Sequence, residues 1–127
     1  MRRPSDRELF NKIRQAKTAV KNGAILTVDP IVIAADAIEL DYQVGDLNGV
    51  ISTILNEIRP SNYAGQRPPK KSYKPEIKGK ELFAFRWVSK RFGCNAYLKF
   101  ALKEDNFYLV SLHQHRQKKG GAHEKGD

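Results

Sequence analysis

The chain has 127 residues, with 23 Lys and Arg against 14 Asp and Glu and a net charge of +9. This length suits one domain with a sizeable hydrophobic core and is too short for two independent domains. The single cysteine, Cys94, excludes an internal disulfide framework and favours a reducing compartment. The N-terminus has no apolar run of signal-peptide or membrane-spanning length, so we expect a cytoplasmic protein.

The positive charge is concentrated in the middle of the chain. Residues 1–58 hold 7 basic and 8 acidic side chains, whereas residues 59–91 hold 10 basic and 2 acidic ones. Such a concentration favours a polyanionic partner, either nucleic acid or an acidic protein segment. A merely soluble basic protein is the alternative.

Three helices are predicted in the first half of the chain. The first begins at a capping-box pattern, Ser5 to Glu8, and ends at Asn22-Gly23. The second begins at Asp29-Pro30 and ends near Leu40, and the third begins at Gly45-Asp46 and ends before Pro60. The positions at helical spacing, expected to face the core, are Phe10, Ile13, Lys17 and Val20, then Ile31, Ala34, Ala35 and Ile38, then Leu47, Val50, Ile51, Ile54, Leu55 and Ile58.

The second half predicts a basic loop and three strands. Residues 61–79 are rich in proline and cations and have no period, which indicates a mobile binding loop or, alternatively, a disordered linker. Residues 81–88, 96–103 and 106–113 read as strands of an antiparallel meander, with a tight turn at Glu104-Asp105. We therefore expect an α+β domain over residues 1–113, with three N-terminal helices packed on a small antiparallel sheet, and a flexible basic tail at 114–127.

The alternation of side chains divides each predicted strand into two faces. One face is almost wholly apolar and should pack on the helices: Phe83, Phe85 and Trp87, then Leu98, Phe100 and Leu102, then Tyr108, Val110 and Leu112. The opposite face would gather Arg86, Tyr97, Lys99, Ser111 and His113, together with Phe107 and Leu109. This polar face should point at substrate, although an ordinary solvated face is the alternative.

The residue types on that face suit RNA cleavage through the neighbouring 2'-hydroxyl. The reaction needs a base, an acid and cations that stabilise a phosphorane-like transition state, and Arg, Lys, Tyr and His can fill these roles without metal or cofactor. No clustered carboxylates of the kind that two-metal nucleases need are evident. A metal site built from His113 and His115 with Cys94 or His123 is a competing interpretation, but its spacing matches no recognised site.

Several short blocks, in one order over residues 9–114, resemble the MqsR family of bacterial toxin–antitoxin ribonucleases, which has the RelE-like fold. The likeness lies in the helix end Val20-Lys21-Asn22-Gly23, in Thr27, in the segments 35–42 and 48–55, in Lys71-Ser72, in Tyr97-Leu98-Lys99-Phe100 and in Leu109-Val110-Ser111-Leu112-His113. The resemblance implies a toxin that cleaves mRNA, free or on the ribosome, and that a cognate antitoxin protein neutralises.

By the same resemblance Lys71 and Tyr97 fall on catalytic positions, and His113 stands where the family has a lysine. Phe83-Ala84 replaces the pair that contains the family's catalytic glutamine, and Arg86 is the proposed substitute. The catalytic candidates are therefore Lys71, Arg86, Tyr97 and His113. The candidate RNA-binding cations are Arg67, Lys70, Lys74, Lys78, Lys80, Lys90, Arg91 and Lys99.

Two functions without catalysis remain as alternatives. Three helices followed by a hairpin also describe a winged-helix DNA-binding regulator, but residues 46–57, where its recognition helix would lie, contain no Lys or Arg. The other alternative is an RNA-binding module in which Tyr97, Phe107 and the cations hold a single strand.

Overall fold

A computed structural model describes residues 2–115, which form an α+β fold of three helices and a four-stranded mixed sheet. The predicted α+β class is confirmed. The helices are α1 (Asp6–Lys21), α2 (Pro30–Leu40) and α3 (Leu47–Leu55), and the strands are β1 (Ile25–Thr27), β2 (Phe83–Ser89), β3 (Cys94–Lys103) and β4 (Asn106–Gln114). Of the predicted tail, Gln114 belongs to β4, and residues 116–127 lie outside the described part.

The helix boundaries follow the predicted caps. The Ser5 hydroxyl accepts a hydrogen bond from the backbone N–H of Glu8 at 3.1 Å, and the Asp29 carboxylate caps α2. Gly23, with φ of 72°, ends α1 in the left-handed conformation that glycine adopts without steric cost. A 3₁₀ turn at Val44–Asp46 leads into α3.

The buried faces of α1 and α2 differ from the prediction. In α1 the core positions are Leu9, Ile13, Ala16, Ala19 and Val20, whereas Phe10 and Lys17 are exposed. In α2 the buried residues are Ile33, Ala37 and Leu40, whereas Ile31, Ala34, Ala35 and Ile38 face outward. The prediction failed for α2 because this helix is apolar on both sides. The stripe predicted for α3 is buried as expected.

The strand order is β1-β4-β3-β2. The last three strands are antiparallel, as predicted, and Glu104 and Asp105 make the tight turn between β3 and β4 with φ of 52° and 65°. The sequence did not predict β1, which pairs in parallel with β4. The sheet is therefore mixed, not purely antiparallel.

A register shift between β3 and β4 corrects the predicted faces of the last strand. Lys99 lies opposite Ser111, but Phe100 lies opposite Leu109, so Val110 is one extra residue in β4. Because of this β-bulge, Leu109 and its neighbour Phe107 point into the main core. Val110 and Tyr108 belong instead to a separate cluster.

Two hydrophobic cores lie within residues 2–115. The main core joins side chains from all three helices to the sheet, including Leu9, Ile33, Ile51, Phe85 and Phe100. The smaller one consists of Ile77, Leu82, Ala101 and Val110, with Val28 and Tyr108 at its margin. Ile77 and Leu82 come from the basic loop and the chain after it, so this part of the chain packs over one end of the sheet.

Within the described residues, none of the helices combines the length and the apolar character needed to cross a membrane.

Candidate functional site

Three of the predicted catalytic residues form one row across the sheet. Arg86 of β2 pairs directly with Tyr97 of β3, and Tyr97 pairs directly with His113 of β4. Directly paired residues on one face have Cβ atoms about 5 Å apart, so their side chains are neighbours. The row lies on the face opposite the main core, as the strand alternation predicted.

His113 is held by Tyr97 and by its own strand. The two rings are stacked, with centroids 5.0 Å apart and planes at 25°. The Nδ1 atom of His113 lies 3.0 Å from the carbonyl oxygen of Gln114. A carbonyl only accepts, so this bond places a hydrogen on Nδ1 and leaves Nε2 for proton transfer with a ligand.

His115 also belongs to this site, and the sequence analysis considered it only as a metal ligand. Its Nε2 atom lies 3.2 Å from Nη1 of Arg86. A guanidinium only donates, so Nε2 is the acceptor of this hydrogen bond. Its buried Nδ1 atom has no hydrogen-bond partner among residues 2–115. The signal for His115 was its position two residues after His113, which continues the strand alternation one residue beyond the end of β4.

Asp36 places a carboxyl group near His113 from outside the sheet. Burial raises the pKa of Asp36 above its ordinary value; His113, in its imidazolium form, opposes this rise, and Glu39 adds to it. No sequence pattern indicated Asp36, because its position depends on how α2 packs along β4.

A cavity of about 240 Å³ lies beside the row and contains two of the predicted RNA-binding cations. It is lined by Ala64, Gly65, Gln66, Lys70, Leu82, Ala84, Tyr97 and Lys99. Lys99, a residue of β3, is only 7% exposed. Two lysines and a tyrosine line this cavity, and these residue types suit the binding of a phosphate group.

A second, more open groove of about 560 Å³ lies on the other side of Arg86. It is lined by Asn62, Arg86, Trp87, Val88, Asn95 and His115. The side chain of Val88 is largely exposed, and the two asparagines can both donate and accept hydrogen bonds. Amide and apolar groups of this kind suit a nucleobase better than a phosphate.

The structure does not bring Lys71 into the cavity. Lys71 is exposed and forms an isolated antiparallel bridge with Glu81. The hydrogen bond from Arg3 is the main cause of the lowered pKa of Glu81, and the charge of Lys71 contributes to it. The neighbouring residue in the sequence, Lys70, lines the cavity instead.

The other predicted RNA-binding cations are dispersed. Arg67 donates to the carbonyl of Pro4 at 2.8 Å and lies over the ring of Tyr63 at 5.1 Å, so it fastens the N-terminal segment to the loop. The β2–β3 turn carries Lys90 and Arg91, and the guanidinium of the latter lies 5.6 Å from the ring of Phe92. The remaining three, Lys74, Lys78 and Lys80, lie on the segment that covers the smaller core.

The metal interpretation of the histidines concerned four residues. His113, His115 and Cys94 are described, and His123 lies outside the described part of the chain. Among residues 2–115 no group of three or more His, Cys, Asp and Glu side chains is placed to hold a metal ion.

No protein-family model matches the sequence, and no curated protein is significantly similar to it.

Proposed function

We propose that this chain is a metal-independent endoribonuclease that cleaves single-stranded RNA through the 2'-hydroxyl. The observation that carries the proposal is the cross-strand row of Arg86, Tyr97 and His113 beside the cavity that contains Lys70 and Lys99. The row offers proton transfer and phosphate contacts, and the cavity offers further positive charge. A basic face of this kind on one side of a sheet is what a polyanionic substrate requires.

In this proposal the scissile phosphate lies over the row. Arg86 donates to two phosphate oxygens, and Lys99 and Lys70 stabilise the negative charge that grows in the phosphorane. Tyr97 donates to the phosphate while its ring supports His113. Lys70 takes the part that the family resemblance gave to Lys71, because it is Lys70 that reaches the cavity.

His113 handles the proton transfers. Its Nε2 atom removes the proton from the 2'-hydroxyl, and the 2'-oxygen attacks phosphorus. The bond from phosphorus to the 5'-oxygen then breaks, and the imidazolium returns its proton to that oxygen. The products are a 2',3'-cyclic phosphate and a 5'-hydroxyl. The groove lined by Asn62, Val88 and Asn95 would hold a base next to the reacting phosphate.

The resemblance to the MqsR family extends the proposal to a RelE-like arrangement, with three helices packed on the sheet, and to the role of a cytoplasmic toxin. In that role the substrate is mRNA, free or on the ribosome, and the cell needs an antitoxin protein that blocks cleavage. The collinear blocks around Asn22-Gly23, Tyr97 and His113 support this extension.

The test is incubation of the purified protein with a defined single-stranded RNA in the presence of EDTA, with mapping of the cleaved ends. Wild type should cleave, and the Tyr97→Phe, His113→Ala double variant should not. Lys17→Ala on the exposed face of α1 is the control variant and should cleave like wild type. Full cleavage by a folded double variant would refute the site.

A non-catalytic RNA-binding module is the second candidate, because Phe83-Ala84 stands where the resembled family has a catalytic glutamine. The same surface would then hold single-stranded RNA without cutting it. Protection of the RNA by wild-type protein, with and without added ribosomes, would favour this function over the ribonuclease.

A further inference from the structure

The outer side of α2 is an apolar surface without a cover in residues 2–115. Ile31 is 82% exposed and Ile38 is 83% exposed. Ala34 and Ala35 lie between them and are exposed as well. These four residues, the outer α2 face, follow the spacing i, i+3, i+4 and i+7, so they share one side of the helix.

This exposure is unusual because the opposite side of α2 is also apolar. Ile33, Ala37 and Leu40 are buried in the protein, so the helix is hydrophobic all round. Helices of that kind are normally covered on every side, and an exposed apolar patch on a folded protein typically marks an interaction site. We propose that the outer α2 face binds a positively charged amphipathic segment of a partner protein.

The negative charge around the outer α2 face favours a positively charged partner. The helix and its caps, residues 29–41, contain no Lys or Arg but four carboxylates, although the whole chain has a net charge of +9. Asp29 caps the first turn of α2, and Glu39 and Asp41 are exposed at its other end. An apolar stripe between carboxylates favours a partner that carries leucine-like anchors with Lys or Arg beside them. The same charge disfavours nucleic acid here.

A second copy of this chain fits the surface poorly. The helix has 11 residues, is about 16 Å long and has a carboxylate at each end, Asp29 and Asp41. Antiparallel pairing would place Asp29 of one copy near Asp41 of the other, and parallel pairing would place each beside its own equivalent. Like charges meet in both arrangements, which disfavours association.

Helix α2 links the outer α2 face to the candidate site. The helix packs along β4, and its inner residue Asp36 interacts electrostatically with His113. A partner on the outer α2 face would therefore have the helix between itself and His113. The inference itself does not depend on RNA cleavage.

The experiment uses the full chain and a fluorescent synthetic peptide of about 20 residues, long enough to form a helix. The peptide has leucines at helical spacing and lysines beside them, and a matched peptide has glutamate in place of every lysine. Binding is measured by fluorescence anisotropy without RNA, for wild type and for Ile31→Ser, Ile38→Ser. The control variant is Phe10→Ser, because Phe10 is an exposed apolar residue of α1. Sedimentation gives the oligomeric state.

The lysine peptide should bind wild type and Phe10→Ser equally. Its Kd should rise at least tenfold for the double variant, about 1.4 kcal/mol, and the glutamate peptide should bind at least tenfold more weakly. Equal binding to the double variant, or equal binding of the two peptides, would overturn the proposal. A wild-type dimer that becomes a monomer in the double variant would also overturn it, because the occupant would then be a second copy.

Discussion

The imidazole of His113 stacks on the phenol ring of Tyr97, with ring centroids 5.0 Å apart. The Tyr97 ring therefore positions His113, and its hydroxyl can contact a ligand independently. Tyr97→Phe keeps the ring, and we expect it to lower the RNA cleavage rate only about tenfold, through loss of one hydrogen bond. Tyr97→Ala removes the stack and should lower the rate about as far as His113→Ala, roughly 100-fold or more. Single-turnover cleavage measures these rates; equal rates for Tyr97→Phe and Tyr97→Ala would contradict a positioning role for the ring.

Lys70 and Lys71 form a matched pair for testing the cavity. Lys70 lines it, whereas Lys71 lies beside Glu81. Lys70→Ala should weaken binding of single-stranded RNA and reduce the slope of log K against log salt by about 0.7, the loss of one phosphate contact. Lys71→Ala should leave the slope nearly unchanged. Fluorescence anisotropy over a salt series gives both slopes, and the opposite order would assign the phosphate contact to Lys71.

Glu57 should stabilise the β2–β3 hairpin in a pH-dependent way. Its carboxylate accepts hydrogen bonds from Trp87 Nε1 at 2.8 Å, Ser89 Oγ at 2.7 Å and the backbone N–H of Arg91 at 2.8 Å. Burial opposes ionisation, but these bonds outweigh it and lower the pKa of Glu57 below its ordinary 4.5. The stabilisation is therefore complete above the unfolded-state pKa and is lost as pH falls through the lower folded-state pKa.

We expect Glu57→Gln to lower the free energy of unfolding by about 1–2 kcal/mol at pH 7, because an amide nitrogen cannot accept from a backbone N–H. The difference from wild type should shrink as the pH falls below 4.5. Urea unfolding followed by the fluorescence of Trp87, the only tryptophan, measures it. Glu76→Gln, at an exposed position, is the control. A difference that is constant with pH would show that the charge of Glu57 does not contribute.

Gly65 and Gly49 should respond oppositely to alanine. A Cβ at Gly65 would lie 2.6 Å from the Tyr63 hydroxyl, which donates to the Gln66 carbonyl at 2.5 Å. Gly65→Ala must displace that ring from the loop and should cost about 1–2 kcal/mol. A Cβ at Gly49, inside α3, meets nothing within 4 Å, so Gly49→Ala should stabilise by about 0.5–1 kcal/mol. Urea unfolding of the two variants tests this difference in sign.

The sequence was sufficient to predict that the row across the sheet shares one face. Alternation of side chains is a local property of a strand, so Arg86, Tyr97 and His113 could be placed on one face without coordinates. The β-bulge at Val110 was not predictable in this way, because it depends on the pairing of β4 with β3. The bulge lies before Ser111 and His113, which explains why their face was predicted correctly and the preceding residues were not.

Two other errors of the sequence-based prediction also come from pairing between separate segments of the chain. The strand Ile25–Thr27 is too short to show a period, and its partner β4 lies about 80 residues further along the chain. The choice between Lys70 and Lys71 depends on the bridge to Glu81, since neighbouring residues of an extended segment point to opposite sides. Neither feature leaves a signal in the sequence alone.

The position of β4 also affects how the chain folds as it is synthesised. Among the described elements β4 comes last in the sequence, yet it lies between β1 and β3 and supplies His113. A nascent chain that stops before Asn106 leaves β1 without its neighbour and the row without its imidazole. Folding of the sheet and assembly of the candidate site are therefore completed together, only when β4 has been made, so a shorter translation product would have neither.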